Sequence, residues 1–517
     1  LIRASESREK KDALLRRTVE WIQELLSSDT NPDLEPKQEQ ELVLRRIEGF
    51  LQDDSDEEVG KWLSEATSDI SPKVAAVDVL LAAGKVPPDA DRFLLTAGVE
   101  IQFSKPALDE SARLRGYIPE DSRVRETREF VFSIDDEDTE EIDDALTVEK
   151  TPDGVTVGIH IADVRHFVSK DDVLDREAFR RKSSLYLPQK TIRMFPDRIS
   201  NDLSSLRAGE VRPSVMFQVE FGNDLSLKNY QIVLSEVRVS DRLTYDEADD
   251  LLDSEEKGGI AANLELLDRV TSSLLQGRID DGALVIRRPE LKIVLRDKQI
   301  ELKILKADSP SRRIVSELMI LGNSLAAKYA RDNGLPIIYR AQNPPAGELP
   351  QMTSYDPLLA NQIFSKLEPG KLSLLPQRHF GLGLDAYTQL TSPIRRYADL
   401  VLQRQLSSHL ASRPLPYDPQ EMLQILGTLQ AADSDLKGLE RRANRMYLLK
   451  YLEEHCREET MKVVIIRSVA SGYLAETTEL FTRGIISYPS TLELGTVIEA
   501  RISKIDPDRG FLQFVPA

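Results

Sequence analysis

Between Ile134 and Asp144 the chain carries eight carboxylates in eleven residues: Asp135, Asp136, Glu137, Asp138, Glu140, Glu141, Asp143 and Asp144. Carboxylates this close repel one another in a low-dielectric interior, so a buried version of the run needs compensating cations. A hard divalent cation such as Mg²⁺ or Mn²⁺ meets that need with oxygen ligands. Two such ions can clamp the attacking and leaving oxygens of a phosphodiester and activate the water between them. The competing reading is a solvated acidic loop, the usual fate of a charge block. Apolar, β-rich segments flank this run, however, and Ile142 interrupts it where a solvated loop has no use for an apolar side chain. A calcium loop of the EF-hand kind is disfavoured because its turn glycine is missing.

A second concentration of chemistry lies between Tyr387 and Asp399. Thr391-Ser392-Pro393 reads as a helix start, with Thr or Ser as the cap and Pro at the first helical position. That reading puts Arg395 and Arg396 in the first turn, where the positive end of the helix dipole disfavours cations. An anion held jointly by free amides and guanidinium groups removes the conflict. Pairing with an acidic side chain elsewhere is the alternative, but beside a metal-ready acidic loop a phosphate is the better reading.

Cations also gather in two stretches. Residues 180–213 hold Arg180, Arg181, Lys182, Lys190, Arg193, Arg198, Arg207 and Arg212 against three acids, and residues 287–340 hold twelve basic and six acidic residues. Tyr186 lies in the first stretch and Tyr245 between the two. Cations that follow a backbone, with an aromatic to stack a base, suit a single strand of nucleic acid. Ordinary core packing is the alternative for Tyr186.

These groups need a scaffold that brings them together. Helical periodicity runs through Leu14, Leu15, Val19, Ile22, Leu25 and Leu26. A polar break follows at Ser28 to Pro36, then a helix around Leu42 to Leu51, a solvated acidic run at Asp53 to Glu58, and short helices at Lys61 to Thr67 and Pro72 to Ala83. With Val99 to Phe103 this makes a helical module with a helix-turn-helix or winged helix among its forms. From Glu129 the pattern turns to strands: Phe130 to Ile134, then Ala145 to Val148 and Val155 to Val164 around the turn Thr151-Pro152-Asp153-Gly154. Val215 to Phe221 and Gln231 to Val239 read as paired strands. Arg313 to Arg331, Pro393 to Leu410 and Gln420 to Glu454 read as helices, the last punctuated by Gly427 and Gly438. The final 57 residues alternate in short runs that suit a small β-barrel.

Composition bounds these readings. The 517 residues imply about three domains, set at 1–118, 119–457 and 461–517. Cys456 is the single cysteine, so no intramolecular disulfide or cysteine-based zinc site is possible, and a reducing, cytoplasmic compartment is expected. The longest apolar stretches, such as Val74 to Ala83, fall short of a bilayer span, so no membrane role is expected. The first residue is Leu, consistent with a missing N-terminus. The net charge of −19 argues against a phosphate-bearing partner. Its distribution argues the other way, because residues 1–120 alone carry 25 acids against 16 bases while the two basic stretches are net positive.

The sequence resembles the RNase II (RNB) family of exoribonucleases, which includes RNase R and the Rrp-type exosome relatives, over about residues 120–455. Three blocks carry the resemblance: the carboxylate run from Ile134 to Ala145 continuing into His160-Ile161-Ala162-Asp163-Val164, the block from Tyr186-Leu187-Pro188 to Leu206, and Thr391-Ser392-Pro393-Ile394-Arg395-Arg396-Tyr397. The resemblance implies an α+β protein: a mixed α/β RNB catalytic core, a helical N-terminal module in place of the family's cold-shock domains, and a C-terminal OB-fold barrel of the ribosomal-protein-S1 type. Tyr473, Phe481, Tyr488, Phe511 and Phe514 are the barrel's candidate surface aromatics, some of them needed for its core. It implies processive 3′→5′ cleavage of single-stranded RNA to nucleoside 5′-monophosphates by a monomer using Mg²⁺, with Mn²⁺ as a substitute.

Carried over position by position, Asp135, Glu141, Asp143 and Asp144 fall on the family's four catalytic, metal-holding acids. Arg395 falls on the arginine that meets the scissile phosphate, Tyr186 on the aromatic that stacks near the 3′-terminal base, and Tyr245 on a second RNA-contacting tyrosine. Glu317 and Arg396 join the expected RNA contacts. Glu141 stands where the family has Asp, Ser316-Glu317 where relatives often have two glutamates, Gln403 where they have His, and Ile286 at a position that can be aromatic. The alternative function is an RNA-binding protein of the same fold with weak or lost nuclease activity.

Overall fold

The computed structural model describes residues 2–27, 38–52, 54–67, 70–87, 90–255, 258–297 and 299–517. The expected break at Ser28 to Pro36, and Asp53 at the head of the expected acidic run, lie outside the described residues. The chain divides into two compact units, Leu1–Gln102 and Phe103–Ala517.

The first unit is helical: α1 (Ile2–Ser27), α2 (Gln38–Gln52), α3 (Glu57–Ala66), α4 (Pro72–Ala82) and α5 (Arg92–Thr96). Helix α3 starts four residues before the expected Lys61 because Asp56 caps it, accepting a hydrogen bond from the Val59 amide at 3.3 Å. The acids at 57 and 58 then sit in its first turn, where the helix dipole favours them. Ile22, Leu44, Ile47, Phe50, Trp62, Leu63, Val79 and Leu80 close the core. Val99 to Phe103 has no regular structure, and the described residues of this unit contain no strand from which a wing could be built.

The second unit opens with α6 (Lys105–Arg113), whose Ala107 is buried among its residues, so the division falls earlier than the expected residue 118. There follow β1 (Val124–Arg125), β2 (Phe132–Asp135), β3 (Asp144–Thr151), β4 (Gly154–Ala162), α7 (Val173–Arg181), β5 (Leu185–Leu187), β6 (Lys190–Ile192), β7 (Val211–Gly222), β8 (Leu227–Arg238) and β9 (Asp241–Thr244). Seven of these strands form one sheet in the order β1-β8-β7-β4-β3-β2-β9. The expected hairpin is β3–β4, with Asp144 opposite Ile161 and Thr151 opposite Gly154. Its turn requires glycine: Gly154 has φ of 151°, and a Cβ there would lie 1.9 Å from the Phe221 carbonyl oxygen.

Alternation along the strands sends successive side chains to opposite faces. Val155, Val157, Ile159 and Ile161 of β4, with Phe132, Leu146 and Phe217, face α8 (Tyr245–Asp253), α9 (Gly259–Asp280) and α10 (Pro310–Asp332). Burying each of these large side chains stabilises the fold by about 1.5–3 kcal/mol. Ala145 and Ala162, at the intervening positions, join a second core with Phe195, Ile394 and Leu400.

The unit continues with the hairpin β10 (Glu290–Arg296) and β11 (Gln299–Leu305), then β12 (Tyr339–Ala341), α11 (Pro357–Lys366), β13 (Lys371–Ser373), α12 (Tyr397–Leu410) and α13 (Pro419–His455). Helix α13 passes through Gly427 and Gly438 without a break, begun by Pro419 and an Asp418–Glu421 capping box. Five last strands, β14 (Met461–Val469), β15 (Gly472–Thr477), β16 (Arg483–Ile486), β17 (Val497–Asp506) and β18 (Phe511–Pro516), close into a barrel in the order β14-β15-β16-β18-β17. Of its candidate surface aromatics, Phe514 is core, Tyr473 is partly buried against that core, Phe481 packs edge-on against Tyr355, Tyr488 is partly buried, and Phe511 is exposed. Arg445 of α13 holds the barrel through the Thr482 hydroxyl and the Arg483 carbonyl, both at 2.6 Å, and the Gly510 carbonyl at 3.2 Å.

Candidate active site

The carboxylate run divides by exposure. Its tip, Glu137, Asp138 and Glu140, is exposed, whereas Glu141 and Asp143 are buried and Asp135 and Asp144 are partly buried. The two strands explain the division. Strand β2 ends on Asp135 and β3 begins at Asp144, so strand pairing fixes both ends. Ile142 is the internal anchor: it is buried, its amide donates to the Ser205 hydroxyl at 3.0 Å, and its carbonyl accepts from the Leu206 amide at 3.0 Å. Arg242 binds the outer loop, donating to the carbonyls of Asp136, Glu137 and Thr139.

Burial raises the proton affinity of all four inward carboxyls. Asp143 is pushed up to about 7 by burial, with the Arg395 guanidinium opposing. Asp135 rises to about 6 for the same first reason, with Arg242 opposing. Asp144 rises well above the usual carboxylate range because it is buried and faces Asp135 and Asp143. Glu141 also rises on burial, against a hydrogen bond from Tyr186. A cation among these oxygens would reverse the shifts.

The expected helix start at Pro393 is incorrect. Residues Pro393 to Arg395 form a turn in which the Arg395 and Arg396 amides donate to the Ser392 carbonyl at 3.2 and 2.9 Å, and α12 begins at Tyr397. The arginines therefore precede the helix, and the conflict with its dipole does not arise. Both pair with acids. Arg395 Nε donates to Asp143 Oδ2 at 3.2 Å, the Ile394 amide donates to Asp143 Oδ1 at 3.0 Å, and Arg395 Nη2 donates to the Ser392 hydroxyl at 2.9 Å. Arg396 pairs with buried Asp399 at 2.7 Å. Arg395 keeps a side-chain exposure of 40%, enough to meet a ligand while held.

Asp135, Glu141, Asp143, Asp144, Tyr186, Tyr245, Arg395 and Arg396 line one cavity of about 1250 Å³. Tyr186 reaches it from β5, donating its hydroxyl to Glu141 Oε2, and the Arg395 guanidinium lies 5.9 Å from its ring centre. Tyr245 arrives because parallel pairing sets Asp135 beside Thr244, and Arg312 lies 4.0 Å over its ring. Burial and the charges of Asp144 and Asp135 raise the Tyr245 phenol. Glu317 does not line the cavity. It is buried on α10 and paired with Arg278, whose Nε donates to it at 2.9 Å. Ile286 is likewise absent from the cavity wall, while Ser316 is part of it.

The first basic stretch is not a track of unpaired cations. Arg181 pairs with Glu177, Arg193 with Glu140 and Asp197, Arg198 with Asp202, and Arg212 with Glu210 and Asp202. The second stretch supplies Arg296, Lys303, Lys292 and Arg312 to the cavity, the last two paired with Asp136 at 3.1 and 2.7 Å. None of these stood out from its neighbours in the sequence beyond its charge. Asn323 was missed altogether: it donates to the Tyr387 and Thr391 hydroxyls at 3.1 and 3.3 Å and accepts from the Leu390 amide at 2.7 Å. These bonds tie the segment before Arg395 to α10.

Among the described residues, no three His, Cys, Asp or Glu side chains converge on one point as an assembled metal site. The donor chemistry nonetheless fits a hard cation. Every donor is a carboxylate oxygen, and Glu141 Oε1 is buried without a hydrogen-bond partner. No helix among the described residues is long and apolar enough to cross a membrane.

Residues 123–412 match the RNB domain family model. An uncharacterized ribonuclease from Synechocystis is 32% identical over 405 residues, which are 77% of this chain and 60% of the relative. The chain spans about half to three-fifths of the length of the curated relatives it matches. In solved structures, an active-site mutant of the Dss1 exoribonuclease from Candida glabrata superposes with a TM-score of 0.77 at 21% identity, covering 98% of this chain and 70% of the other. Mycoplasma genitalium RNase R in complex with ribose-methylated single-stranded RNA gives a TM-score of 0.73 at 21% identity, covering 82% and 77%.

Proposed function

This chain belongs to the RNB-domain family, and on that premise we propose that it is a processive 3′→5′ exoribonuclease that hydrolyses single-stranded RNA to nucleoside 5′-monophosphates. The observation that carries the proposal is the set of four inward carboxylates with raised proton affinities, facing the same cavity as a held but accessible arginine. Asp135, Glu141, Asp143 and Asp144 would hold a divalent cation, Mg²⁺ with Mn²⁺ as a substitute. Such an ion supplies charge that keeps these carboxyls ionised and lowers the pKa of an attacking water.

The protein's own groups do the positioning. Arg395, fixed by Asp143 and Ser392, directs its guanidinium at the oxygens of the scissile phosphate, where charge grows during reaction. Asp143 takes two donors on its two oxygens and so has one orientation. Tyr186, exposed over 39% of its residue surface, offers its ring to the terminal base, and Tyr245, covered by Arg312, contacts the strand beyond it. Arg396, partly exposed beside Asp399, adds a further RNA contact. Glu317 acts on RNA only through its neighbours, because it lies behind the cavity wall. The chain acts as a cytoplasmic monomer with no membrane partner.

Incubation with 5′-labelled single-stranded RNA and Mg²⁺ tests the reading. Stepwise shortening to a small residual oligonucleotide is expected, abolished by Asp143→Asn, and an unaltered substrate refutes it. DNA of the same sequence shows whether the 2′-OH is read. The second reading, an RNA-binding protein with weak or lost nuclease activity, rests on Glu141 in place of Asp. It predicts near-zero cleavage by the native chain and a large gain on Glu141→Asp.

A further inference from the structure

Glu141 is gripped from both ends of one small hairpin. Tyr186 on β5 donates its phenolic hydroxyl to Glu141 Oε2, and Arg193, just past β6, brings Nε to 3.6 Å from Oε1. That separation is too long for a hydrogen bond, and both Oε1 and Arg193 Nε are buried without a hydrogen-bond partner. The carboxylate thus has one oxygen hydrogen-bonded and the other held only by the charge of Arg193, and it lines the cavity. The hairpin is itself fixed, because the Tyr186 amide donates to Glu440 Oε1 at 3.0 Å and the Met194 amide to the Ser184 hydroxyl at 2.9 Å. The reach of Tyr186 therefore depends on the length of the side chain at 141. A carboxylate one methylene shorter would draw back from the phenol.

We propose that the Tyr186 hydroxyl is a positioning group for Glu141: it fixes Oε2 so that Oε1 is presented to a divalent cation. The inference rests on the metal-dependent reading above. Tyr186 then has two separable parts, a ring that takes a base and a hydroxyl that orients a ligand. Outer groups that orient a metal-binding side chain commonly change metal affinity by about 10–100-fold when removed. A base seated on the ring would also hold the phenol in place, so RNA and metal binding would strengthen each other reciprocally.

The test is Tyr186→Phe in the full chain, titrated calorimetrically with Mn²⁺ in the absence of RNA. The expected result is Mn²⁺ affinity weakened about tenfold or more. In a Glu141→Asp background, Tyr186→Phe should change Mn²⁺ affinity by less than about twofold, because the shorter acid no longer meets the phenol. This cycle also separates positioning from a general loss of structure, which would appear in both backgrounds. Unchanged Mn²⁺ affinity in Tyr186→Phe, or an equal loss in both backgrounds, overturns the inference while leaving the metal reading intact. A wild-type chain that takes up no Mn²⁺ overturns both.

Discussion

Replacing Asp143 by Asn should destroy activity and stabilise the metal-free protein at alkaline pH. In the folded chain Asp143 is raised from the ordinary 3.8 to about 7, first by burial. Between those values the folded protein holds a proton that the unfolded chain has released, so stability falls as pH rises through the window and levels off above 7. At about 1.4 kcal/mol per pH unit, the gap corresponds to roughly 4 kcal/mol of destabilisation above pH 7. Asparagine has no proton to lose and escapes that fall. Against the gain stands the Arg395 hydrogen bond, because an amide keeps one acceptor oxygen and Asp143 uses two; the loss is about 1–3 kcal/mol. The variant should therefore be about 1–3 kcal/mol more stable than wild type at pH 8 in EDTA, with the advantage gone near pH 5. Urea unfolding followed by circular dichroism measures this. Tryptophan fluorescence would report the wrong part of the molecule, since Trp21 and Trp62 both lie in the first unit. Adding Mg²⁺ should stabilise wild type more than the variant. An Asn variant less stable at pH 8, or a difference that does not change between pH 5 and 8, refutes the account of a buried charge awaiting a cation.

Other substitutions separate binding from packing. Glu317→Gln leaves the Arg278 guanidinium without its ionised partner in a mostly buried site and should cost about 3–5 kcal/mol in urea unfolding. RNA affinity of the folded variant should stay within about twofold, because Glu317 lies off the cavity wall. Arg395→Ala should lower kcat by about a hundredfold or more in single-turnover cleavage, with circular dichroism unchanged. Gly154→Ala should lower the free energy of unfolding by more than about 2 kcal/mol in a urea titration, since its Cβ would meet the Phe221 carbonyl in a conformation that disfavours a side chain. Arg445→Ala removes three hydrogen bonds to the barrel and should speed amide hydrogen exchange in β16 and β18 while β3 and β4 keep their protection.

Residue type and local spacing were enough to mark the acidic run, the paired arginines, the β3–β4 hairpin and the closing barrel. Each follows from neighbours in the chain: repulsion among adjacent carboxylates, alternation along a strand, or a turn that only glycine completes. Ile142 was legible as an anchor because an apolar residue amid acids has no local purpose. Long-range partners were not legible. Arg395 meets Asp143 across about 250 residues of chain, and once the acid is its partner the supposed conflict with a helix dipole disappears, along with the helix start it assumed. Net charge by segment pointed to a basic track, yet most of those cations were already spent on acids brought close by folding. Glu317 and Ser316 are adjacent, but helical rotation turns one toward Arg278 and the other toward the cavity. The sequence by itself determined which chemistry was present and which short elements would form. Only the tertiary structure decided which oxygens are buried together, which charges are already paired, and that Tyr186 reaches Glu141, because burial and partnership are set by distance in space.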